Sequence, residues 1–381
     1  MKIAYLTAYF LPLRSAGTER TLSYINTISK LDNLNLLVFY PIFKDEEISS
    51  NYTNKITKNN NINLVPVNIG INRYSGNIFQ RIIKESITSI KLLHASKRHV
   101  KNKIIISVPF FPLLFIAPFF YKKEKLILEI RDATWSYFNN NLFKKFITTL
   151  SYFFIKRYKA VVTVTTHQHE MLPRKIKGNS YICENGISHK RYEDIKKVIT
   201  VSKNSDLIKL YYCGTLGFGQ NIMSVVKILT KFTNVKIRLR GEGPQKKLIK
   251  NHIDLNHMQN VEILNYDDFS EVLNDYNWSN FLFVSLDPNY FSAIPSKIYE
   301  YLSTGKKIIC FCSENSAIRS IKDENLYFFN TPDHMNKEET LSLKQLLEEN
   351  VKDCDSHKSR SFNKKTYIRE ELIEVFLKKI S

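Results

Sequence analysis

Short apolar runs alternate along the whole sequence with longer segments whose apolar residues recur at helical spacing, and this alternation constrains the fold most. In the first half the apolar runs are Lys2–Thr7, Asn35–Tyr40, Asn63–Val67, Lys103–Val108, Lys125–Ile130 and Ala160–Val164. In the second half they are Ile208–Cys213, Val235–Leu239, Val261–Leu264, Phe281–Ser285 and Lys307–Phe311. Nearly continuous apolar strands between helices are typical of a parallel sheet covered on both faces. The sequence therefore predicts an α/β protein.

The two series of strands are separated by a break near residues 185–205. A chain of 381 residues is long enough for two domains. We therefore expect two doubly wound domains at residues 1–190 and 191–362, and a C-terminal helix at 363–381 that packs back towards the first domain. Ligands of open α/β sheets bind beyond the carboxyl ends of the strands, so the residues after each strand are the candidates for function.

Positive charge is concentrated in the first half of the chain. Residues 1–190 contain 28 lysines and arginines against 11 acidic residues, whereas residues 191–381 contain 28 against 25. This asymmetry predicts an anionic partner for the first domain, either a nucleic acid or an acidic membrane surface. The five cysteines have neither CxxC nor zinc-ligand spacing, so we expect no disulfide framework, no structural zinc and a reducing compartment.

Two apolar segments imitate targeting or membrane signals. Lys2–Leu13 is interrupted by a threonine and a proline, so we interpret it as a first strand and a loop rather than a signal peptide. Ile104–Tyr121 has eighteen uncharged residues, which is the length of a membrane span, but it contains three prolines. It predicts a buried strand, a Pro-rich turn and a short hydrophobic helix.

A glycine-containing turn follows the first strand of the second half. After Tyr211, the sequence places Gly214, Gly217, Gly219 and Gln220 between a strand and a helix. Such a turn leaves backbone N–H groups at the start of a helix, where they suit a phosphate. A purely structural turn is the equally common alternative.

A second glycine turn follows the next strand and has the sequence Arg240-Gly241-Glu242-Gly243-Pro244. Its glycines permit close backbone approach, and Pro244 suits the first turn of a helix. On its own, this turn is explained equally well as a tight connection.

The third segment runs from Ala293 to Lys306 and predicts a helix that starts at Pro295–Ser296 and ends at Gly305. Lys297 and Glu300 lie three residues apart and should share one face. A lysine in the first helical turn opposes the macrodipole, and an anion bound beside it would explain its presence. Glu300 could accept the hydroxyls of a ribose, while a simple surface ion pair is the alternative.

These three segments, in this order and spacing, resemble the donor-binding half of glycosyltransferases with the GT-B fold. The closest likeness is to family 4 retaining enzymes that build bacterial capsule and O-antigen polysaccharides. The first half agrees with the same family in three segments, namely Ser15-Ala16-Gly17-Thr18-Glu19-Arg20, Leu128-Glu129-Ile130-Arg131-Asp132 followed by Trp135, and Glu184-Asn185-Gly186-Ile187. The resemblance implies two Rossmann-like domains that face each other across a cleft.

The resemblance also implies a role for each matching residue. The implied donor-binding residues are Gly17, Gly214, Gly217, Gln220, Arg240, Gly241, Gly243, Ser296, Lys297 and Glu300. Lys297 and the first glycine turn would hold the diphosphate of a nucleotide sugar, Glu300 would bind the ribose, and Arg240 would be an additional cation. Asp132 would be the catalytic-site carboxylate, with an N-cap or a structural pair with Arg131 as the alternative.

The sequence departs from the family at two positions of the donor site. Gln220 stands where many members carry a lysine, and Ser292 stands where many carry a first glutamate that contacts the donor sugar. These departures leave the identity of the sugar open. The fold generally needs neither a bound metal nor a cofactor, so we expect none.

The implied activity is transfer of a sugar from a nucleotide sugar, with uridine as the expected base, to a lipid-linked surface polysaccharide with retention. The segment Phe143–Lys159 predicts a basic amphipathic helix, which either lies on an anionic membrane or packs on its own sheet. We expect a cytoplasmic protein at the inner face of the membrane that binds no nucleic acid. A UDP-sugar 2-epimerase of the same fold and a non-catalytic basic protein that binds membranes or nucleic acids remain alternatives.

Overall fold

The computed structural model describes residues 1–12, 15–31, 33–46, 61–73, 78–99, 102–108, 111–137, 141–199, 207–266, 268–352 and 367–380. The strands are β1 Lys2–Leu6, β2 Asn35–Ile42, β3 Ile62–Asn68, β4 Lys103–Val108, β5 Leu126–Ile130, β6 Ala160–Thr163, β7 Ser180–Ile182, β8 Ile208–Cys213, β9 Val235–Arg240, β10 Val261–Leu264, β11 Phe281–Ser285, β12 Lys307–Phe311 and β13 Leu326–Phe329. The helices are α1 Ala16–Ile28, α2 Ile78–Lys97, α3 Phe111–Phe120, α4 Asn141–Ile155, α5 Thr166–Glu170, α6 Arg174–Lys177, α7 His189–Val198, α8 Ile222–Leu229, α9 Lys246–Leu255, α10 Phe269–Trp278, α11 Lys297–Ser303, α12 Lys337–Lys352 and α13 Arg369–Ile380.

The chain divides into two compact units. One comprises Met1–Ser188 together with Lys365–Ser381, and the other comprises His189–Lys364. Every strand that the sequence predicts is present. β7 and β13 have no counterpart among the predicted strands; both are short and lie at the edges of their sheets. β7 has three residues and β13 has four, and apolar runs this short cannot be assigned by periodicity alone.

The first unit contains a parallel sheet of seven strands in the order β3-β2-β1-β4-β5-β6-β7. Alternate residues of each strand enter two separate cores. Leu6 and Leu128 belong to the core that includes Leu93 of α2, Leu113 of α3 and Ile155 of α4. The neighbouring residues of the same strands, such as Tyr5 and Ile127, form the other core with α1 and α13. The sheet is therefore covered by α2, α3 and α4 on one face and by α1 and α13 on the other.

The apolar segment Ile104–Tyr121 forms β4 and α3, as its prolines predict. Residues 109 and 110, which belong to the predicted Pro-rich turn, lie outside the described residues. Within the described part of the chain, no helix has both the length and the apolar character that crossing a membrane requires.

The second unit contains a parallel sheet of six strands in the order β10-β9-β8-β11-β12-β13. This is the 3-2-1-4-5-6 order of the doubly wound Rossmann fold, in which the connections reverse direction between the first and fourth strands. The reversal lies between β8 and β11 here, and between β1 and β4 in the first unit. Four cysteines, Cys183, Cys213, Cys310 and Cys312, are buried free thiols, and Cys354 lies outside the described residues.

Candidate functional site

The carboxyl end of β8 no longer pairs with β11, at the point where the connections between strands reverse direction. The register of β8 with β11 pairs Leu210 with Phe281 and Tyr211 with Leu282. At Cys213, the next residue but one, the hydroxyl of Tyr301 takes the place of a neighbouring strand. It accepts a hydrogen bond from the Cys213 N–H at 2.7 Å and lies 3.3 Å from the Cys213 carbonyl oxygen. A side chain of α11 thus satisfies the backbone where two strands would otherwise continue to pair.

The two predicted glycine turns pack against each other backbone to backbone. The N–H of Gly214 donates to the carbonyl of Arg240 at 3.0 Å, and the N–H of Leu216 donates to that of Glu242 at 2.9 Å. A Cβ on Gly241 would lie 1.8 Å from the carbonyl oxygen of Gly214, and one on Gly243 would lie 2.4 Å from that of Leu216. Gly241 and Gly243 are therefore required because no side chain fits between the turns.

The first turn also contacts the loop that follows β11. Phe218–Gln220 forms a 3-10 turn that leads into α8. The carbonyl of Gly219 accepts a hydrogen bond from the N–H of Asp287 at 2.9 Å, and an added Cβ on Gly219 would meet the ring of Tyr290 at 3.1 Å. The first N–H groups of such a turn have no partner within it. The loops after β8 and β11 therefore meet at the reversal point, where doubly wound sheets bind ligands.

Lys297 and Glu300 do share one face of α11. The ammonium Nζ of Lys297 lies 2.9 Å from Oε2 of Glu300, and the hydroxyl of Tyr276 donates to the same oxygen at 3.1 Å. The other carboxylate oxygen, Oε1, accepts no hydrogen bond from the residues that the structure describes. The side chains of Lys297 and Glu300 are 23% and 16% exposed, so solvent reaches both.

Burial and the ion pair act in opposite directions on the two pKa values. Burial disfavours the charged form of Lys297, but the Glu300 carboxylate outweighs it and raises the pKa of Lys297 above its usual value. Burial likewise disfavours ionised Glu300, but Lys297 lowers the pKa of Glu300 below its usual range. Both groups are therefore charged at neutral pH.

α11 begins at Lys297, slightly later than the predicted start at Pro295–Ser296. Ser296 precedes the helix with helical backbone angles, and its side chain makes no capping hydrogen bond. Gly305, at φ +70°, ends the helix as expected, because the left-handed conformation favours glycine.

The guanidinium of Arg240 forms its hydrogen bonds with residues of its own unit. It is 4% exposed, and its Nε donates to Oδ2 of Asp275 at 2.7 Å while Nη1 donates to the carbonyl of Asn265 at 2.7 Å. Asp275 also accepts a hydrogen bond from Nη1 of Arg238 at 3.1 Å. The charge of Arg240 is therefore balanced by Asp275, and no ligand is needed to explain its burial.

In the first unit, Gly17 makes room for an arginine rather than for open space. Ser15 caps α1 by accepting a hydrogen bond from the N–H of Thr18 at 3.2 Å. A Cβ on Gly17 would lie 2.4 Å from Nη1 of Arg131, whose guanidinium also lies 5.2 Å from the centre of the Tyr9 ring. Gly17 thus lets a positive side chain from the end of β5 lie against the first turn of α1.

Asp132 follows Arg131 beyond the end of β5. Its Oδ1 accepts a hydrogen bond from the hydroxyl of Tyr137. Burial raises the pKa of Asp132 to about 6, although this hydrogen bond and the charge of Arg131 both act to lower it. Asp132 therefore changes its protonation state close to neutral pH. Among the described residues, no three histidines, cysteines or acidic side chains are grouped closely enough to hold a metal ion.

No protein-family model matches the sequence. No curated protein is detectably similar to it in sequence either. Solved structures do match over the whole chain.

A glycosyltransferase from Rickettsia africae is 14% identical with a TM-score of 0.59, and the match covers 100% of this chain and 97% of that one. HepE from Anabaena, solved with UDP and glucose, is 13% identical with a TM-score of 0.63 over 100% and 95% of the two chains. Sucrose-phosphate synthase from Thermosynechococcus elongatus is 12% identical with a TM-score of 0.67 over 100% and 96%. The chain has the GT-B fold.

The GT-B fold agrees with the fold that the sequence motifs predict, but the structure gives some of these motifs a structural role. Glu129 is fully buried and accepts four hydrogen bonds, from Arg20 Nε at 2.8 Å, Tyr5 at 2.7 Å, Tyr24 at 2.8 Å and Ser107 at 2.9 Å. Arg20 also donates to the carbonyls of Cys183 and Glu184. The Glu-Arg helix start, the glutamate before Arg131-Asp132 and the Asn-Gly turn therefore form one buried network.

In this GT-B chain, the segment at the start of α13 packs against the same network. A Cβ on Gly186 would lie 2.4 Å from the carbonyl oxygen of Tyr367, and Ile187 forms a parallel bridge with Ile368. Arg369 donates to the carbonyls of Asn185 and Gly186. The Asn-Gly turn is therefore the surface on which the start of α13 docks.

Three residues near the glycine turns and the Lys297–Glu300 pair have no counterpart among the predicted site residues. Tyr276 and Tyr301 carry the hydroxyls that hold Glu300 and Cys213. Arg191 in α7 lies 3.8 Å from the centre of the Phe269 ring, and its charge helps to lower the pKa of Glu300. Tyr276 and Arg191 lie on helices that carry no motif, and Tyr301 lies in the third motif segment, where no role was expected of it. Only the fold brings their side chains to the site.

Proposed function

We propose that this protein is a glycosyltransferase that uses a UDP-sugar as its donor. The observation that carries the proposal is the pair Lys297–Glu300 on α11, the helix whose Tyr301 bonds to Cys213 directly before the glycine turn, at the reversal point of the second sheet. An ammonium and a carboxylate at this place suit a ligand with both phosphate and hydroxyl groups. Support comes from solved structures with the same fold, in which HepE binds UDP-glucose and an E. coli trehalose-6-phosphate enzyme binds UDP-2-fluoro glucose.

We assign the diphosphate to Lys297 and to the turn that contains Gly214, Gly217 and Gln220. A diphosphate carries more negative charge than one carboxylate, so it competes with Glu300 for the ammonium. Glu300 keeps its hydrogen bond from Tyr276 and turns its second oxygen towards the ribose hydroxyls. Ser296 supplies a hydroxyl next to Lys297, and Gly241 and Gly243 keep the turn in place.

The chemical step requires stabilisation of a departing nucleoside diphosphate and of a sugar with oxocarbenium character. Lys297 would neutralise the charge that develops on the leaving phosphate, and such electrostatic terms are usually the largest in catalysis. We assign Asp132 to the reacting sugar or acceptor, in a reaction that retains the anomeric configuration and needs no divalent metal. Arg131, for which Gly17 leaves room, would bring positive charge to the same part of the first unit.

We propose as the acceptor a growing, lipid-linked bacterial surface polysaccharide of the capsule or O-antigen type. The excess of 28 basic over 11 acidic residues in the first 190 residues supports this choice, because a lipid-linked acceptor carries phosphate at an anionic membrane. The protein would then work in the cytoplasm at the inner membrane face.

Calorimetric titration with UDP, GDP and ADP in metal-free buffer tests the donor site. Wild-type protein should bind UDP selectively, and Lys297→Ala should weaken binding at least about tenfold, or about 1.4 kcal/mol. Lys250→Ala, which removes an exposed lysine on α9, is the matched control and should bind as wild type. If folded wild-type protein binds none of the three nucleotides, the proposed donor is wrong.

A further inference from the structure

The outer surface of α2, α3 and α4 in the first unit exposes large apolar side chains. α3 packs against α2 on one side and α4 on the other, so the three helices form one layer over the sheet. The side chains that project outward include Phe79, Ile82 and Ile83 on α2, Phe119 on α3, and Leu142 and Phe146 on α4. Phe79, Phe119 and Leu142 are 75%, 69% and 83% exposed.

The predicted apolar stripe of α4 is divided between two environments. Ile147 and Phe154 pack against the core, as expected for a helix that covers its own sheet. Phe143, Phe146 and Phe153 point away from the core and are about half exposed or more. Packing on the sheet therefore accounts for only part of the stripe, and a second apolar face is left over.

Basic side chains surround an open cavity of ≈520 Å³ at the end of this layer. It lies where α3 ends and α4 leads into the next strand, and its lining includes Phe119, Lys122, Lys123, Lys156 and Arg157. The guanidinium of Arg157 lies 5.0 Å from the ring centre of Phe153 and 5.8 Å from that of Phe119. No acidic side chain belongs to its lining among the residues that the structure describes.

The apolar face and the basic cavity together indicate which kind of partner binds this surface. Scattered exposed apolar residues are normal, but a cluster on three adjacent helices marks an interaction surface. Nucleic acids offer a polar, charged surface that would leave Phe79, Ile82 and Ile83 in water. An anionic bilayer satisfies both parts, since apolar side chains enter the boundary between headgroups and acyl chains while cations meet lipid phosphates.

We propose that the outer face of α2, α3 and α4 docks on an anionic lipid bilayer and that the basic cavity receives lipid phosphate groups. Phe79, Ile82 and Ile83 insert below the headgroups, and Lys122, Lys123 and Lys156 bind the phosphates. The inference deepens the proposed acceptor, which it would place beside the enzyme, but it does not depend on the donor site.

Sedimentation with vesicles tests this surface on the full-length protein. The vesicles are phosphatidylcholine alone, or phosphatidylcholine with about one third phosphatidylglycerol. Wild-type protein should bind the anionic vesicles, more weakly at high salt, and should bind the neutral ones poorly. Lys122→Gln/Lys123→Gln/Lys156→Gln should lower anionic-vesicle binding at least about tenfold. Ile82→Ser/Ile83→Ser should lower it as well, with the charge unchanged.

Val375→Ser is the matched control, because Val375 is 54% exposed on α13, which covers the opposite face of the sheet. It should bind vesicles as wild type. Equal binding to neutral and anionic vesicles, or unchanged binding in both test variants, would overturn the proposal. A wild-type preference for an RNA oligonucleotide over anionic vesicles would also overturn it. UDP titration of the same variants separates the two proposals. A variant can lose vesicle binding and still bind UDP, and the protein can bind vesicles without binding UDP.

Discussion

At the scale of single residues, the Glu300 carboxylate is held by two donors on one oxygen. Lys297 and Tyr276 both contact Oε2, which fixes the orientation of the group, and the proposed ligand would bind at Oε1. Tyr276 is fully buried, and its ring packs edge-on against those of Tyr211 and Tyr301. Tyr276 reaches Glu300 through its hydroxyl, while its ring packs in the core.

Tyr276→Phe should weaken UDP binding about three- to tenfold, because it removes one hydrogen bond of about 1 kcal/mol from Glu300 and leaves the ring in place. The melting temperature should change little. Tyr211→Phe is the control, since no hydrogen bond joins the Tyr211 hydroxyl to Glu300 in the described part of the chain. Calorimetry that finds the same UDP affinity for both variants would contradict a positioning role of Tyr276.

Asp132 should give the transfer reaction a pH dependence. Its pKa is raised to about 6, so the rate at saturating donor should rise through pH 6 if the ionised carboxylate acts. Tyr137→Phe removes a hydrogen bond that lowers this pKa, so the rise should move to higher pH. Asp132→Asn should abolish most of the transfer and leave UDP affinity unchanged. Undiminished transfer in Asp132→Asn would exclude the catalytic assignment.

The same raised pKa has a consequence for stability. Folding disfavours the ionised carboxyl, so Asp132 costs stability at pH values above 6 and ceases to do so as the pH falls towards 3.8. Asp132→Asn should therefore melt at a higher temperature than wild type at pH 8, and the difference should shrink on acidification. Thermal melts across this pH range measure it.

At the scale of elements, the proposed donor site depends on backbone contacts between two loops. The loops after β8 and β9 are joined by hydrogen bonds from Gly214 and Leu216, and the glycines opposite have no room for a side chain. These contacts hold the glycine-containing segment before α8 in one conformation. Rigid supports of this kind keep binding groups in their productive geometry.

Gly241→Ala should destabilise the fold by about 1–3 kcal/mol, because its Cβ would overlap the Gly214 carbonyl oxygen and force the loops apart. UDP binding should weaken in parallel. Gly178→Ala is the control, since a Cβ there meets nothing within 4 Å. Urea denaturation measures both variants, and equal midpoints would show that the loops do not need their close contact.

At the scale of the whole molecule, the two units share the same arrangement of strands around their first strand. In both parallel sheets the connections between strands reverse direction beside the first strand. Both units also place glycines after that strand, at Gly17 in one unit and at Gly214 and Gly217 in the other. The chain passes between the units twice, because α13 returns to the first unit and packs against α1. The buried pair Arg20–Glu129 holds α1 to the sheet and to the turn on which α13 docks.

The sequence by itself determined the class of fold, the positions of the long strands, the glycine turns and the shared face of Lys297 and Glu300. These features depend on local periodicity and on helix geometry, which a short segment specifies alone. It missed the short edge strands and gave no signal for Tyr276, Tyr301 and Arg191. Only the tertiary structure decided that Arg240 pairs with Asp275, that Glu129 is buried on Arg20, and that Gly17 adjoins Arg131. The physical reason is that each of these contacts joins residues from different elements, so it depends on how the sheets place those elements and not on any one segment.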